Sequence, residues 1–273
     1  MAILQISEVT VRFGGNMAVN RVSLHVDPGT ITGLIGPNGA GKTTIFNVIT
    51  GLQAPTGGRV ELDGRDITGV RAHKRAQLGI ARTFQRLEVF GSLTVRENVL
   101  TAAEIHRSWT SERDLDPAAD TARIIELVGL TSVADRRADS LSTGLARLVE
   151  LGRALACRPR ALLLDEPASG LDQPETDQLA DLLAQLAGTG MGILLVEHDV
   201  PLVMRLCSCV HVLNFGEILA SGTPEEIQDD QAVLDAYLGQ AAPSRSSVPA
   251  AQADLQDELA TDLAAPTVPR GTR

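Results

Sequence analysis

Residues 30–50 constrain this chain more than any other stretch. They read TITGLIGPNGAGKTTIFNVIT: an apolar run from Ile31 to Ile35, the loop Gly36-Pro-Asn-Gly-Ala-Gly-Lys-Thr43, then a helical pattern closed by Gly51. Gly36, Gly41, Lys42 and Thr43 fit G-x-x-x-x-G-K-[ST], the phosphate-binding loop when a strand precedes it and a helix follows. Both contexts are present. A row of anionic phosphates needs many donors at short range, so the backbone must wrap it with N–H groups facing inward. Glycines at 36, 39 and 41 allow torsions and close approaches that a side chain would block. The helix starting near Lys42 aims its unsatisfied N–H groups and positive dipole end at the same phosphates. Lys42 is placed to bring charge to the β- and γ-phosphates, and the Thr43 hydroxyl to meet Mg²⁺. Pro37, Asn38, Ala40 and Thr44 complete the expected nucleotide loop. With nothing bound, the same residues would be a Gly-rich turn; the full motif in its required context argues for a ligand.

The remaining composition narrows the class. A net charge of −10 and a pI of about 5.0 count against a general nucleic-acid binder, which needs a basic face. With 44% hydrophobic residues and a mean hydropathy of +0.06, the chain suits a globular α/β domain with ample core. No segment has the length of a transmembrane helix, and MAILQISEVTVRF lacks the features of a signal peptide, so a cytosolic chain is expected. Cys157, Cys207 and Cys209 form no C-x-x-C pair and read as reduced, partly buried thiols rather than a metal site.

Taken in order, residues 4–26 alternate, with Gly14-Gly15 as a break, and residues 59–62 continue in kind before Asp63-Gly64. Short antiparallel strands flanking the P-loop strand are expected. Residues 71–157 turn helical in composition. Thr94-Val-Arg-Glu97 is a capping box and predicts a helix over residues 95–104. Residues 106–117, with Trp109, read as an exposed connection, followed by helical spacing at 118–128 and 145–157. Parallel-strand signals return at 161–164 and 192–196, with an amphipathic helix at 173–186 between them. Residues 209–213 and 217–220, joined by Asn214-Phe-Gly216, read as a hairpin, and Thr223-Pro-Glu-Glu226 as a second capping box. Beyond about Gln240 the chain becomes Ala-, Pro-, Ser- and Asp-rich, and a disordered tail over 241–273 is expected, with a weak helix near 253–263.

Leu162-Leu-Leu-Asp165-Glu166 is an apolar strand ending in two carboxylates. One acid can hold Mg²⁺ through its water shell and the next can take a proton from an attacking water. In isolation such a segment is more often an ordinary helix start; the P-loop upstream reverses that order. On local grounds Phe13 reads as a core strand residue ahead of a platform for adenine.

Five features follow the order and approximate spacing of ABC-type ATPases, which this chain resembles over residues 4–240. They are Phe13 before the P-loop, Gln85 in ARTFQ, Leu141-Ser-Thr-Gly144, residues 162–166 followed by Ser169-Gly-Leu-Asp172, and Val196-Glu-His198. The signature reads LSTGLAR where the family commonly has LSGGQ, so Thr143 and Leu145 depart from the common form. The resemblance implies a P-loop NTPase (RecA-like) core with an N-terminal antiparallel β subdomain and a helical subdomain inserted at about 86–157. It implies that Phe13 stacks on adenine, and that Gln85 reaches Mg²⁺ and the attacking water. Asp165 would help hold Mg²⁺, Glu166 would act as general base, and His198 would contact the γ-phosphate. Ser142 and Gly144 would bind the γ-phosphate held by an opposite subunit, with Asp172 organising the facing site.

Within that family the likeness is to ATPase subunits of branched-chain amino acid importers. It is carried by GIARTFQ (79–85), LTVREN (93–98), NFGEI (214–218), SGTPEE (221–226) and AYLG (236–239). That implies an ATP- and Mg²⁺-dependent subunit peripheral on the inner face of the membrane. Its partners would be separate permease chains, a second ATPase subunit, identical or related, and indirectly an extracytoplasmic solute-binding protein. Rival readings are a lipid or lipopolysaccharide exporter ATPase, a soluble ABC ATPase acting on ribosomes or DNA, and a P-loop GTPase or kinase. The third lacks an Asn-Lys-x-Asp guanine motif and leaves 141–144 and His198 without a role.

Overall fold

The computed structural model describes residues 1–110 and 115–238. β1 (Leu4–Phe13) and β2 (Asn16–Val26) form an antiparallel hairpin turning at Gly14-Gly15. β3 (Ile31–Ile35), buried at every position, runs into the P-loop and then α1 (Lys42–Thr50). β4 (Gly57–Leu62) and β5 (Arg65–Asp66) are joined by Asp63-Gly64, both left-handed at φ 49 and 73, as a two-residue hairpin turn of this hand requires. α2 (Ala72–Gln77) and β6 (Ile80–Arg82) follow. Then come α3 (Val95–Trp109), α4 (Pro117–Leu127) and α5 (Thr143–Ala156). β7 (Ala161–Asp165), α6 (Gln173–Gly188), β8 (Gly192–Val196) and α7 (Val200–Leu206) return to the sheet. β9 (Cys209–Asn214), β10 (Glu217–Gly222), α8 (Pro224–Gln228) and α9 (Gln231–Leu238) complete the described chain.

Two sheets result. One is antiparallel, in the order β2-β1-β4-β5; the other runs β10-β9-β3-β8-β7-β6, parallel except for the β10 edge. Side chains along a strand point alternately to opposite faces, and the central strands use this to feed two cores. Ile31, Ile35, Leu162, Leu164, Ile193 and Leu195 pack with the helices from α3 to α7. Leu34, Leu163, Leu194 and Val196 point the other way, against α1 and the antiparallel sheet. Burial on both faces is why these strands read as unbroken apolar runs. The chain leaves the sheet after β6 and returns at β7, which pairs directly beside it through Ile80↔Ala161. Between them α3 packs on α4 and α5, and Gly152 lets Val99 approach so closely that a Cβ there would lie 3.3 Å from its methyl.

Several expectations are corrected. β1 and β2 are 10 and 11 residues long, not short, and they belong to a sheet separate from the P-loop strand, whose neighbours are β8 and β9. Residues 71–157 are not helical throughout, because Ile80–Arg82 is the outer strand of the parallel sheet. Three residues are too few to show a period. α3 does not stop at 104 but continues to Trp109, with His106 and Arg107 in its last turn, where cations complement the helix dipole. The stretch read as a connection is therefore helical in its first part. α7 and α9 were not anticipated, whereas α2 falls within the stretch read as helical. The expected tail, 241–273, lies outside the described residues.

Candidate nucleotide-binding site

The loop after β3 is glycine for steric reasons. Gly36 has φ 144, and a Cβ there would sit 2.0 Å from the Leu213 carbonyl oxygen on neighbouring β9; at Gly41, φ 111, it would sit 2.7 Å from the Ala18 carbonyl. Gly41 is also the N-cap of α1. The buried Lys42 donates from Nζ to the carbonyls of Gly36 and, at 3.0 Å, Pro37. Burial lowers its pKa, while Glu166 and Asp165 nearby raise it. A cavity of about 560 Å³ opens over this loop, lined by residues 38–44 and, opposite, by Gln85, Asp165 and Glu166. Asn38, Gly39, Ala40, Gly41, Lys42, Thr43 and Thr44 thus face one space, while Gly36 and Pro37 form its backing.

The acidic wall is held from several elements. Asp165, at the buried end of β7, receives Arg82 at 3.2 Å, and its N–H donates to the Thr83 hydroxyl at 3.1 Å. Arg82 also donates to Asn47 at 2.7 Å and lies over the rings of Phe46 and Phe84. Burial raises the Asp165 pKa and the Arg82 charge pulls it back down. Glu166 is left-handed at φ 52, and its N–H is tied to the Val196 carbonyl at 2.8 Å. A non-glycine residue held there stores backbone strain, a feature that clusters at functional sites. Parallel pairing of Asp165 with Val196 brings the segments after both strands together. Glu166 Oε1 accordingly meets His198 Nε2 at 2.8 Å and accepts from Gln85 Nε2 at 3.2 Å. Between them in sequence, the buried Glu197 accepts the Ala168 and His198 N–H groups at 2.7 and 3.2 Å, fixing both loops; burial raises its pKa.

Seven expected site residues do not line this cavity: Gly36 and Pro37 back it, His198 meets it only through Glu166, and Phe13, Ser142, Gly144 and Asp172 lie outside it. Phe13, at the end of β1, is 51% exposed and pairs across the hairpin with Asn16, which does line it. Ser142 caps α5, accepting from Leu145 N–H at 3.3 Å; Asp172 caps α6 in a capping box with Glu175. Gly144 packs against Gly170 and Leu171, where a Cβ would lie 2.6 Å from the leucine methyl. Ser142, Gly144 and Asp172 thus belong to one cluster of helix starts, separate from the chain's own phosphate loop. Thr143 closes on Gly170 from the same turn.

Other residues that reach the site were not foreseen. Arg147, on α5, donates to the carbonyls of Phe84 and Gln85 and to Glu150 at 3.1 Å. Glu150 accepts the Glu88 N–H at 2.7 Å, and Arg153 donates to the Glu88 carbonyl while lying over the Phe90 ring at 4.3 Å. Spacing of three residues along α5 aims all three at the backbone of 84–90; charged residues recurring at that spacing in an apolar helix were the available signal. Arg75 is buried and caps the C-terminal end of α1, donating to Val48 and Ile49 at 2.7 and 2.8 Å. Phe215, expected only as a turn residue, is on the cavity wall.

Comparison with known proteins agrees with this geometry. The model of the ABC transporter family matches residues 19–169, and that of the branched-chain amino acid ATP-binding cassette transporter matches 217–243. The high-affinity branched-chain amino acid transport ATP-binding proteins BraF of Pseudomonas aeruginosa and LivG of Escherichia coli strain K12 are 44% and 40% identical, each alignment covering 88% of this chain and 98% of the relative. The lipopolysaccharide export system ATP-binding protein LptB of Haemophilus influenzae is 35% identical, with the same coverage. Among solved structures, a nucleotide-free ATP-binding cassette from an ABC transporter superposes with a TM-score of 0.77 at 30% identity, over 87% of this chain and 99% of that one. The ADP conformation of MJ1267, also an ABC transporter cassette, gives 0.77 at 31%, over 88% and 99%. With the P-loop, the paired strand-end carboxylates and the inserted helices all in place, the chain belongs to the ATP-binding cassette family of ABC transporters.

Proposed function

We propose that this chain is the ATP-hydrolysing subunit of an importer for branched-chain or other small amino acids or amides, acting through separate permease chains. The observation that carries the hydrolytic reading is the convergence of Gln85 and His198 on one oxygen of Glu166, across a single cavity from Lys42. Residues 36–44 bind the phosphates through backbone N–H groups, the α1 dipole and Lys42. Glu166 takes the proton of the attacking water; His198 and Gln85 orient its carboxylate, and His198 contacts the γ-phosphate. Mg²⁺ is commonly held by one or two carboxylates together with substrate phosphates, and Thr43, Gln85 and the buried Asp165 offer such a set around one cavity. Bound there, the ion would neutralise charge developing on the phosphate oxygens. Phe13 stacks on the base at the rim.

Ser142, Gly144 and Asp172 do not line this cavity, so their place in the reaction is at the ATP of a second cassette, identical or related, set head to tail. ATP then joins two subunits, and hydrolysis releases them. Residues 85–90 and the helices α3 to α5 form the side that meets the permeases, placing the chain on the cytoplasmic face of the membrane. Among the described residues no helix is long and apolar enough to cross it. The cargo assignment rests on the greater identity to BraF and LivG than to LptB, and on the match at 217–243. The test is a pull-down of tagged Glu166→Gln protein with ATP from detergent-solubilised host membranes. Recovery of two polytopic permeases and a second cassette, with a solute-binding protein, is expected. Recovery of envelope lipid-export machinery instead would overturn the cargo and direction, and leave the ATPase chemistry standing.

A further inference from the structure

The aromatic side chain on the wall of the nucleotide cavity is Phe215, whereas Phe13 stands beside it. Phe215 is the first of the two residues that turn β9 into β10, 87% exposed and left-handed at φ 44. Both properties are unfavourable for a large apolar side chain, so the position invites an explanation from function.

The turn is firmly placed. Gly216 N–H donates to the Ala40 carbonyl, inside the phosphate loop, at 2.9 Å, and the Gly216 carbonyl accepts the Asn20 N–H at 2.8 Å. Asn20 also donates from its side chain to Glu217 at 2.6 Å. Gly216 is pressed against β2 so closely that a Cβ would lie 2.8 Å from the Ala18 carbonyl. Any movement of the turn therefore has to disturb the loop that holds the phosphates.

Besides that loop, Asn16, Met17, Ala18 and Phe215 line the cavity. Aromatics adjoin this group on two sides of the sequence: Phe13 is paired with Asn16, and Phe215 precedes the Gly216 that packs on Ala18. Phosphates are served by the N–H groups of the loop and by Lys42, which line the same cavity. Met17, Ala18 and Phe215 offer little to an anion and a good surface to a flat ring.

We propose that Phe215 is a second aromatic contact for the nucleotide, gripping the base rather than the phosphates. The proposal rests on the ATP-binding reading above. Because every base presents a π-face, stacking adds affinity without selecting among bases. ATP and GTP should therefore depend on Phe215 alike.

The experiment is calorimetric binding to the full chain carrying Glu166→Gln, which prevents turnover, at concentrations where sedimentation shows monomer. ATP, GTP and inorganic tripolyphosphate are compared with and without Phe215→Ser. The expected result is a loss of about 5- to 150-fold for both nucleotides, the range covered by one base stacked on an aromatic side chain, with tripolyphosphate affinity held within about twofold. Phe215→Trp should retain the affinity. Unchanged ATP affinity in Phe215→Ser overturns the proposal. So does an equal loss for tripolyphosphate, which would make the turn a support for the phosphate loop. Unchanged monomer affinity with loss of the ATP-induced dimer also overturns it, and assigns the ring to the facing subunit. If the parent chain binds neither ATP nor tripolyphosphate, the nucleotide reading itself falls, and Phe215 with it.

Discussion

Arg147 should control where Gln85 sits, and its removal can be given a magnitude. Its guanidinium spans the Phe84 and Gln85 carbonyls and reaches Glu150 at 3.1 Å; the two side chains are only 8% and 4% exposed. Removing one partner of a buried ion pair costs about 3–5 kcal/mol, because the other charge is left uncompensated. Two features reduce that figure here. Burial already pushes the Glu150 pKa up, against the Glu88 N–H and Arg147, so without Arg147 the carboxyl can take a proton instead of remaining charged. Arg147 Nε, moreover, is buried without a hydrogen-bond partner among the described residues, and relief of such a group returns about 1–3 kcal/mol. The net expectation for Arg147→Met is a loss of about 1–3 kcal/mol in urea unfolding at pH 7. Arg147→Met with Glu150→Leu should recover half of it or more, since a buried pair replaced by apolar residues of similar volume is often neutral.

The same variant has a kinetic signature that a merely structural role would not produce. Gln85 is released, whereas residues 36–44 keep their contacts, so kcat for ATP should fall with KM nearly unchanged. Arg147→Lys should not rescue it, because an ammonium cannot reproduce the planar fork across two carbonyls. A loss below about 1 kcal/mol for Arg147→Met, or kcat and KM falling together in proportion to unfolded protein, would refute the argument that α5 positions Gln85.

Three further outcomes are expected. Glu166→Gln should retain ATP binding and lose about 10²–10⁴ in turnover, the share of a general base; near-normal hydrolysis would remove Glu166 from that role. Lys42→Ala should weaken ATP binding itself, measured by calorimetry, as charge-assisted phosphate contacts are lost. Unchanged affinity would contradict the geometry of the loop. Buried His211, bonded to Ser221 at 2.7 Å, 3.9 Å from Cys209 Sγ and edge-on to the His25 ring beside Asp27, has its pKa lowered from 6.5 to about 4, first by burial and then by His25. The unfolded chain binds this proton more readily, so stability should rise with pH across that window and be lost as pH falls from 6.5 towards 4, by up to about 3 kcal/mol. Thermal unfolding of His211→Gln against the parent should show the parent losing more between pH 6.5 and 4.5; parallel curves would dismiss His211 as the source.

Legibility of this fold in its sequence followed the range over which each constraint acts. The phosphate loop could be read residue by residue because its glycines answer to contacts within one loop and its immediate neighbours, and β3, β7 and β8 because burial on both faces leaves a continuous apolar run. β6 was missed because an outer strand of three residues carries no such pattern. α2, AHKRAQ, looks like solvated surface, yet Arg75 turns inward to the end of α1; a charge facing an orphan carbonyl cannot be told from one facing water until the helices are placed. Arg147, Glu150 and Arg153 fail for the same reason.

Glu166 and His198 show the converse. Each follows a plain apolar strand, and locally each could be structural; only the family resemblance paired them. What joins them is the parallel register of β7 and β8, Asp165 opposite Val196, which lines up segments more than thirty residues apart. Phe215 was visible as a hairpin tip, and its relation to the P-loop depends on β9 lying beside β3 in the sheet, a pairing no local window contains. In this chain, chemistry that depends on one loop is written locally, whereas chemistry that depends on strand order is readable only once the order is known. The residues most worth mutating next are therefore those that reach the nucleotide site through the sheet rather than through the chain: Phe215 on the cavity wall, and His198 and Arg82 on the carboxylates of Glu166 and Asp165.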